Sequence, residues 1–211
     1  MNPHFIFNTL NSIQLYILEK DPISSHKYLT MFARLMRMTL DNAQQTTITL
    51  REEIDALKLY LALEALRLEN KFSYTIDIED EGLLKHRVPT LLIQPFVENS
   101  IWHGIMLKPN QSGKISIKLS SRGHAILCSI IDDGVGRDLA RKLQQEARGG
   151  RQSHGFKITS QRIELLSTLY RDKFSIRYID LFTPQGDPKG TQVDLIIPVN
   201  INEQNLLSSE V

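Results

Sequence analysis

Apolar residues recur at helical spacing along the first third of the chain, with Ile6, Leu10, Ile13 and Ile17 forming one narrow stripe. Pro3 suits the first turn of that helix, and Lys20-Asp21-Pro22 ends it. Ser24 or Ser25 then caps a second helix from about His26 to Ala43, with Tyr28, Phe32, Leu35 and Thr39 along one side and Leu29, Met36 and Leu40 along another. A two-helix hairpin cannot bury this much apolar surface by itself. The pattern predicts either a dimer that completes a four-helix bundle or packing against the rest of the chain. Thr49-Leu50-Arg51-Glu52 reads as a capping box, and Leu50, Ile54, Leu57, Leu61 and Leu68 carry a third helix to about Asn70 as a connector.

After Asn70 the period changes. Phe72-Ser73-Tyr74-Thr75-Ile76-Asp77-Ile78 alternates with period two and reads as a strand. Pro89 and Thr90 open a helix that runs through Asn99, and Lys114–Leu119 and Ala125–Ile131 form a hairpin about Arg122-Gly123. A helical pattern from about Ile158 to Tyr170 precedes strands Phe174–Leu181 and Thr191–Ile197. The reading is an α+β chain: a helical region over 1–70, a sandwich with helices on one face of the sheet over 71–200, and a polar tail over 201–211.

Composition narrows the class. The chain has 211 residues, 41% of them hydrophobic and 23% charged, which is enough apolar material for a substantial core. A net charge of +1 and the lack of a basic recognition helix speak against nucleic acid. One cysteine, Cys128, excludes an internal disulfide and fits a reducing, cytoplasmic setting. No apolar run reaches the ~18 residues of a membrane span, so no membrane contact is expected of these residues.

Two stretches carry candidate chemistry. In Gln94-Pro95-Phe96-Val97-Glu98-Asn99-Ser100-Ile101-Trp102-His103-Gly104, the apolar positions seat a helix and hold Asn99 at a fixed depth. Its amide oxygen is a hard neutral acceptor suited to Mg²⁺ whose other ligands are water and phosphate, though it also suits a satisfied core position. Asp132-Asp133-Gly134-Val135-Gly136 follows a strand, where an aspartate can accept from an exocyclic amine and glycines let backbone approach a ring or phosphate. The same residues could be plain turn punctuation.

Taken together, Asn2-Pro3-His4-Phe5-Ile6-Phe7-Asn8-Thr9-Leu10-Asn11, Gln94 to Ser100 with His103-Gly104, Asp132 to Gly136, and Gly190-Thr191 resemble, in order and spacing, the cytoplasmic part of LytS-like sensor histidine kinases. The resemblance runs from His4 to Pro198. It implies a dimeric helical hairpin that carries the phosphoacceptor, followed by an ATP-binding sandwich of the GHKL type shared with gyrase and the heat-shock chaperones. Carried onto this chain, it implies that His4 receives the γ-phosphoryl group of ATP while Asn8, one turn on, orients the ring. Asn99 would hold Mg²⁺, His103 would belong to the nucleotide site, and Asp132 would read the adenine amine. Gly134 and Gly136 would shape the pocket, Gly155 would close a flexible lid containing Arg137, Arg141, Lys142, Arg148 and Arg151, and Thr191 would support Asp132. A homodimer, a response-regulator receiver domain as acceptor, and a parent protein anchored upstream in the cytoplasmic membrane follow from the same resemblance.

The chain departs from the family at Ser153 and Ile158 in the lid, at Trp102 where a lysine is usual, and at Pro95 where related ATPases carry a hydrolytic glutamate. The first three departures motivate an alternative: a nucleotide-binding, dimerising module that relays a signal without transferring phosphate.

Overall fold

The computed structural model describes residues 3–18, 22–109, 112–147, 155–170 and 174–199, with side chains left aside at 3, 4, 16, 144–147 and 155–160. Helices α1 (Pro3–Leu18) and α2 (Pro22–Ala43) form a hairpin that lies against α3 (Leu50–Arg67). Two three-residue strands, β1 (Thr47–Thr49) and β3 (Arg87–Pro89), pair antiparallel beside it. The main sheet has the order β2-β4-β5-β7-β6, from β2 (Phe72–Ile78), β4 (Gly113–Arg122), β5 (Ala125–Asp132), β6 (Ser175–Phe182) and β7 (Pro188–Pro198). Only β2 and β4 run parallel; the other neighbours are antiparallel. The remaining helices are α4 (Gln94–Asn99), α5 (Arg137–Ala147) and α6 (Gly155–Tyr170).

Period-two burial decides the layering. Ile115, Ile117 and Leu119 of β4, Ile126, Cys128 and Ile130 of β5, and Val193, Leu195 and Ile197 of β7 are all buried on one face. The other face keeps polar residues such as Lys118, Ser129 and Asp194, where the Ser129 hydroxyl donates to Asp194 at 2.7 Å. Helices therefore cover one side of the sheet, as an α+β sandwich requires. Cys128 is an inert part of this core, its thiol pushed up by burial. The core is continuous from Phe5 to Ile197 and passes through α3 on the way.

The capping box is present in full. Glu52 N–H donates to Thr49 Oγ1 at 3.3 Å, and Thr49 N–H donates to Glu52 Oε2 at 2.7 Å. The start of α2 differs from expectation: it begins at Pro22, because a proline at the first helical position needs no hydrogen-bond partner, so neither Ser24 nor Ser25 is the cap. Of the α2 stripe, Tyr28 and Leu35 are buried, and the Tyr28 hydroxyl donates to the Leu63 carbonyl of α3 at 3.1 Å.

The α1 stripe is the expected one at Ile13 and, in part, at Ile6, and is otherwise rotated. Phe5, Thr9 and Ile13 face inward, with the Phe5 ring centroid 5.1 Å from that of Tyr60 on α3, while Leu10 and Ile17 are exposed. Packing on α3 selects the face with the larger side chain. Phe7, Leu18, Ile23, Leu29 and Leu40 are exposed as well, so the hairpin keeps a broad apolar outer face in the single chain. No helix among the described residues is long and apolar enough to cross a membrane.

Candidate functional site

The helix expected to open at Pro89 begins later. Pro89 is paired in β3, and residues 90–93 form a tight approach in which Leu91 has φ +56°. The cause lies on α3: the buried Glu53 carboxylate accepts from the N–H groups of Leu91 at 3.0 Å, Ile93 at 2.9 Å and Gln94 at 3.5 Å. These are the donors at the start of α4, so Glu53 caps that helix from outside. Burial raises the Glu53 carboxyl, and the three amides pull it back down.

Beyond Asn99 the helix widens into a π turn over Ser100–Gly104. A π turn offsets side chains relative to an α-helix and is common at functional sites. Here Asn99, Ser100, His103 and Gly104 all line one cleft with Phe96. The opposite wall is Asp132 at the end of β5, Gly136 and Arg137 after it, Tyr178 of β6, and Thr191 and Val193 of β7. The space, counted out into the solvent at its open mouth, is about 340 Å³.

Asp132 is 3% exposed. Gly134 N–H donates to its Oδ1 at 2.9 Å, and the Ser100 hydroxyl and the Thr191 backbone N–H also donate to the carboxylate. Burial is the largest influence and raises the group to about 6; these three donors lower it, and the charge of Asp133 raises it further. The folded chain therefore holds this proton more tightly than the unfolded chain, which ionises near 3.8. Ionised Asp132 costs stability, and the cost develops as pH rises from about 4 to about 6, reaching about 3 kcal/mol. Urea unfolding of the native chain and of Asp132→Asn checks this. The native-minus-variant difference is expected to move against the native chain by that order between about pH 4 and pH 7.5, and a flat difference refutes it.

The glycines serve this aspartate. A Cβ on Gly134 would stand 2.4 Å from the Gly104 Cα, and one on Gly104 would stand 2.8 Å from Asp132 Oδ1. What the bare position at 134 makes room for is thus the π turn, with Val135 N–H donating to the Gly104 carbonyl at 3.2 Å. Gly136, with φ +79°, lines the cleft itself. Gly190 has φ +125°, and a Cβ there would lie 1.9 Å from the Asp132 carbonyl oxygen. Gly190→Ala is expected to cost about 3 kcal/mol or more and to open the β5–β7 pairing at Asp132, read by chemical denaturation. A midpoint unchanged from the native chain contradicts that.

Asn99, His103, Asp132, Gly136 and Thr191 are thus brought to one cleft. Gly134 sits behind it, and Gly155 is the first residue of α6. His4 and Asn8 lie on α1; Asn8 is half-buried and is not among the lining residues, and the His4 side chain lies outside the described residues. The stretch expected to be a flexible lid is helical over Arg137–Ala147, anchored by the buried Ala140. Arg137 forms a two-point pair with Asp180 at 2.7 and 2.6 Å and lies 5.1 Å from the Tyr178 ring centre. Arg141 is 3.7 Å from Asp138. Arg148, Arg151 and Ser153 lie outside the described residues.

Sequence reasoning missed Ser100, Phe96 and Tyr178. Ser100 adjoins Asn99 and faces Asp132 through the π turn, which no spacing rule anticipates. Among the described residues no group of three His, Cys, Asp or Glu could hold a metal. The donor set nevertheless fits Mg²⁺ held mainly by a ligand's phosphates. The Asn99 amide is in the cleft, the carboxylate of Asp132 is occupied by three protein donors, and Glu98 does not line the cleft and accepts from Gln94 Nε2 at 2.9 Å.

A family model described as histidine kinase matches residues 1–72. The sensor protein LytS of Enterococcus faecalis is 32% identical over 143 residues, covering 68% of this chain and 24% of that protein. The sensor histidine kinase YpdA of Escherichia coli is 29% identical, covering 94% of this chain and 33% of that protein. LytS of Oceanobacillus iheyensis is also 29% identical, with the same coverage of 94% and 33%. A crystal structure of the histidine kinase ThkA with a response regulator protein is similar with a TM-score of 0.49 at 16% identity, over 95% of this chain and 60% of that one. The chain spans about a quarter to a third of the length of these curated relatives. On the match to residues 1–72 and on relatives aligned along most of its length, the chain belongs to the LytS-like sensor histidine kinases.

Proposed function

We propose that this chain is the phosphoacceptor and ATP-binding part of a two-component sensor histidine kinase and that its cleft takes Mg-ATP. The observation that carries this is the convergence of Asn99, His103, Asp132, Gly136 and Thr191 on one cleft from three separated stretches of sequence. Asp132 accepts from the adenine amine, with Thr191 and Ser100 fixing its carboxylate. His103 and Gly136 wall the nucleotide, and Gly155, at the start of α6, has the role of the family's lid-closing glycine. Mg²⁺, when bound, draws charge from the phosphates, with Asn99 as its protein ligand.

His4 is the acceptor. A histidine with an ordinary pKa of about 6.5 is roughly three-quarters neutral at pH 7, so its ring nitrogen attacks without a strong base. The nitrogen–phosphorus bond forms as the bond from the γ-phosphorus to the ADP oxygen breaks, and the ring proton leaves to solvent. Asn8 orients the ring. Pro95 stands where related ATPases place a glutamate, so water is not activated at that position. The phosphoryl group then passes to an aspartate of a response-regulator receiver domain. The exposed outer face of α1 and α2 supports a homodimer, and the parent protein is anchored in the cytoplasmic membrane with this part facing the cytoplasm.

A second reading, a nucleotide-binding dimeric module without phosphotransfer, is favoured by one contact. Arg137 is held by Asp180 and so is unavailable to the phosphates in this conformation. Trp102, the single tryptophan of the chain, adjoins His103 and supplies the probe that tests both. Titration with Mg-ATP is expected to change its fluorescence saturably under either reading, while acid-labile label from γ-labelled ATP appears only under the first. No saturable change, with no binding by calorimetry, sinks both.

A further inference from the structure

One face of α3 grips the nucleotide helix at three points. Glu53, Tyr60 and Arg67 stand about two helical turns apart in succession and so project from the same side. Glu53 accepts from Leu91, Ile93 and Gln94 at the start of α4. Two turns on, the Trp102 indole N–H donates to the Tyr60 hydroxyl, in the middle of the π turn. After two more turns the Arg67 guanidinium lies 4.8 Å from the centre of the Trp102 ring, its other side paired with the buried Glu64. Arg162 of α6 donates to the Thr90 carbonyl at 2.6 Å, and its charge also acts on Glu53, so a second helix holds the approach to α4.

The same helix holds the hairpin. Phe5 packs on Tyr60, and Tyr28 donates to Leu63. Tyr60 therefore touches the residue next to His4 on one side and the residue next to His103 on the other. A carboxylate that satisfies three amides while sitting 4% exposed is an expensive way to start a helix of six residues. A serine or aspartate at the local cap would serve stability alone. What the distant carboxylate adds is a fixed relation between α3 and the segment that carries Asn99.

We propose that Glu53, with Tyr60 and Arg67 behind it, is a positioning residue of the kinase site: α3 sets where the α4 segment places Asn99 relative to Asp132. This rests on the reading of Asn99 as the Mg²⁺ ligand. Asp132 is held mainly by its own strand, by Gly134 and by Thr191, and Ser100 is the donor it takes from the α4 segment, so base recognition depends on Glu53 only through that hydroxyl. Loosening the clamp separates the two halves of the site: the Mg²⁺-dependent part of nucleotide affinity falls, and the Mg²⁺-independent part, for which Asp132 keeps its strand, Gly134 and Thr191, changes much less. A side chain that only supported the fold would lower both together.

The test uses the full chain, a non-hydrolysable ATP analogue, and calorimetric titration with Mg²⁺ and with chelator. For Glu53→Gln the affinity gained from Mg²⁺ is expected to fall about tenfold, the value for one lost hydrogen bond to a charged group, with the chelated affinity within about twofold of native. Independently of the nucleotide, the amides of Leu91, Ile93 and Gln94 are expected to exchange with solvent at least about tenfold faster. Arg67→Gln, at the partly exposed end of α3, is expected to lower the Mg²⁺ gain by about threefold and covers the case in which Glu53→Gln does not fold. If the native chain gains nothing from Mg²⁺, the assignment of Asn99 fails and the positioning role with it. If the native chain gains and the variants keep that gain, or lose both affinities alike, the positioning role alone is overturned.

Discussion

Asp132→Asn is expected to bind ATP about a hundredfold more weakly than the native chain at pH 7.5 while keeping its fold. The carboxylate is the buried acceptor of the cleft, and Gly134, Ser100 and Thr191 already orient it, so an adenine amine meets a fixed charge rather than a mobile one. The amide that replaces it must turn its NH₂ toward either those donors or the adenine amine, and each choice sets donor against donor. Calorimetry on the free chain measures the affinity, and the pH matters. With the native carboxyl raised to about 6, the comparison belongs above that value, and the native advantage is expected to shrink as pH falls through it. An affinity within threefold of native at pH 7.5 would remove Asp132 from the nucleotide site.

His4→Ala is expected to abolish acid-labile label from γ-labelled Mg-ATP, to less than about one per cent of native, and to leave nucleotide affinity unchanged, because removing the nucleophile removes the bond that forms. The chain has six histidines, and among the described residues His103 is the one that lines the cleft. It is therefore the competitor for the role of acceptor. His103→Ala is expected to weaken nucleotide binding yet to retain label on His4 at saturating ATP. Label that survives His4→Ala and vanishes with His103→Ala would reverse the assignment. Phosphoryl transfer brings α1 and the cleft together, within one chain or from a second copy, and the Phe5–Tyr60 contact is what either event has to accommodate.

Much of this architecture is legible in the order of residues. Period two in Phe72–Ile78 marks β2 to the residue, because one face of that strand is buried and the other is not. The capping box at Thr49 is local chemistry, and the structure forms it as written. Features set by distant partners are not legible in this way. The late start of α4 depends on Glu53, about forty residues upstream, and the inward face of α1 depends on Tyr60. Strands β1 and β3 have three residues each, too few for a period. Helix α5 was hidden by its charged composition, since Arg137, Asp138, Arg141 and Lys142 read as a solvated lid while, among the described side chains of the helix, Ala140 is the buried one. The candidate site was legible as motifs, but its hydrogen bonding was not. Ser100 joins Asp132 only because the helix widens after Asn99, and Gly134 is bare because Gly104 lies against it.

The central claim is that the cleft supplies a phosphoryl group to His4. The most direct measurement incubates the native chain with γ-labelled Mg-ATP, then digests it and locates the label by peptide mapping under alkaline conditions. An acid-labile, alkali-stable phosphoryl group is expected on the peptide containing His4, at a level that rises with ATP occupancy of the cleft. Full occupancy by ATP with no label on that peptide would contradict it.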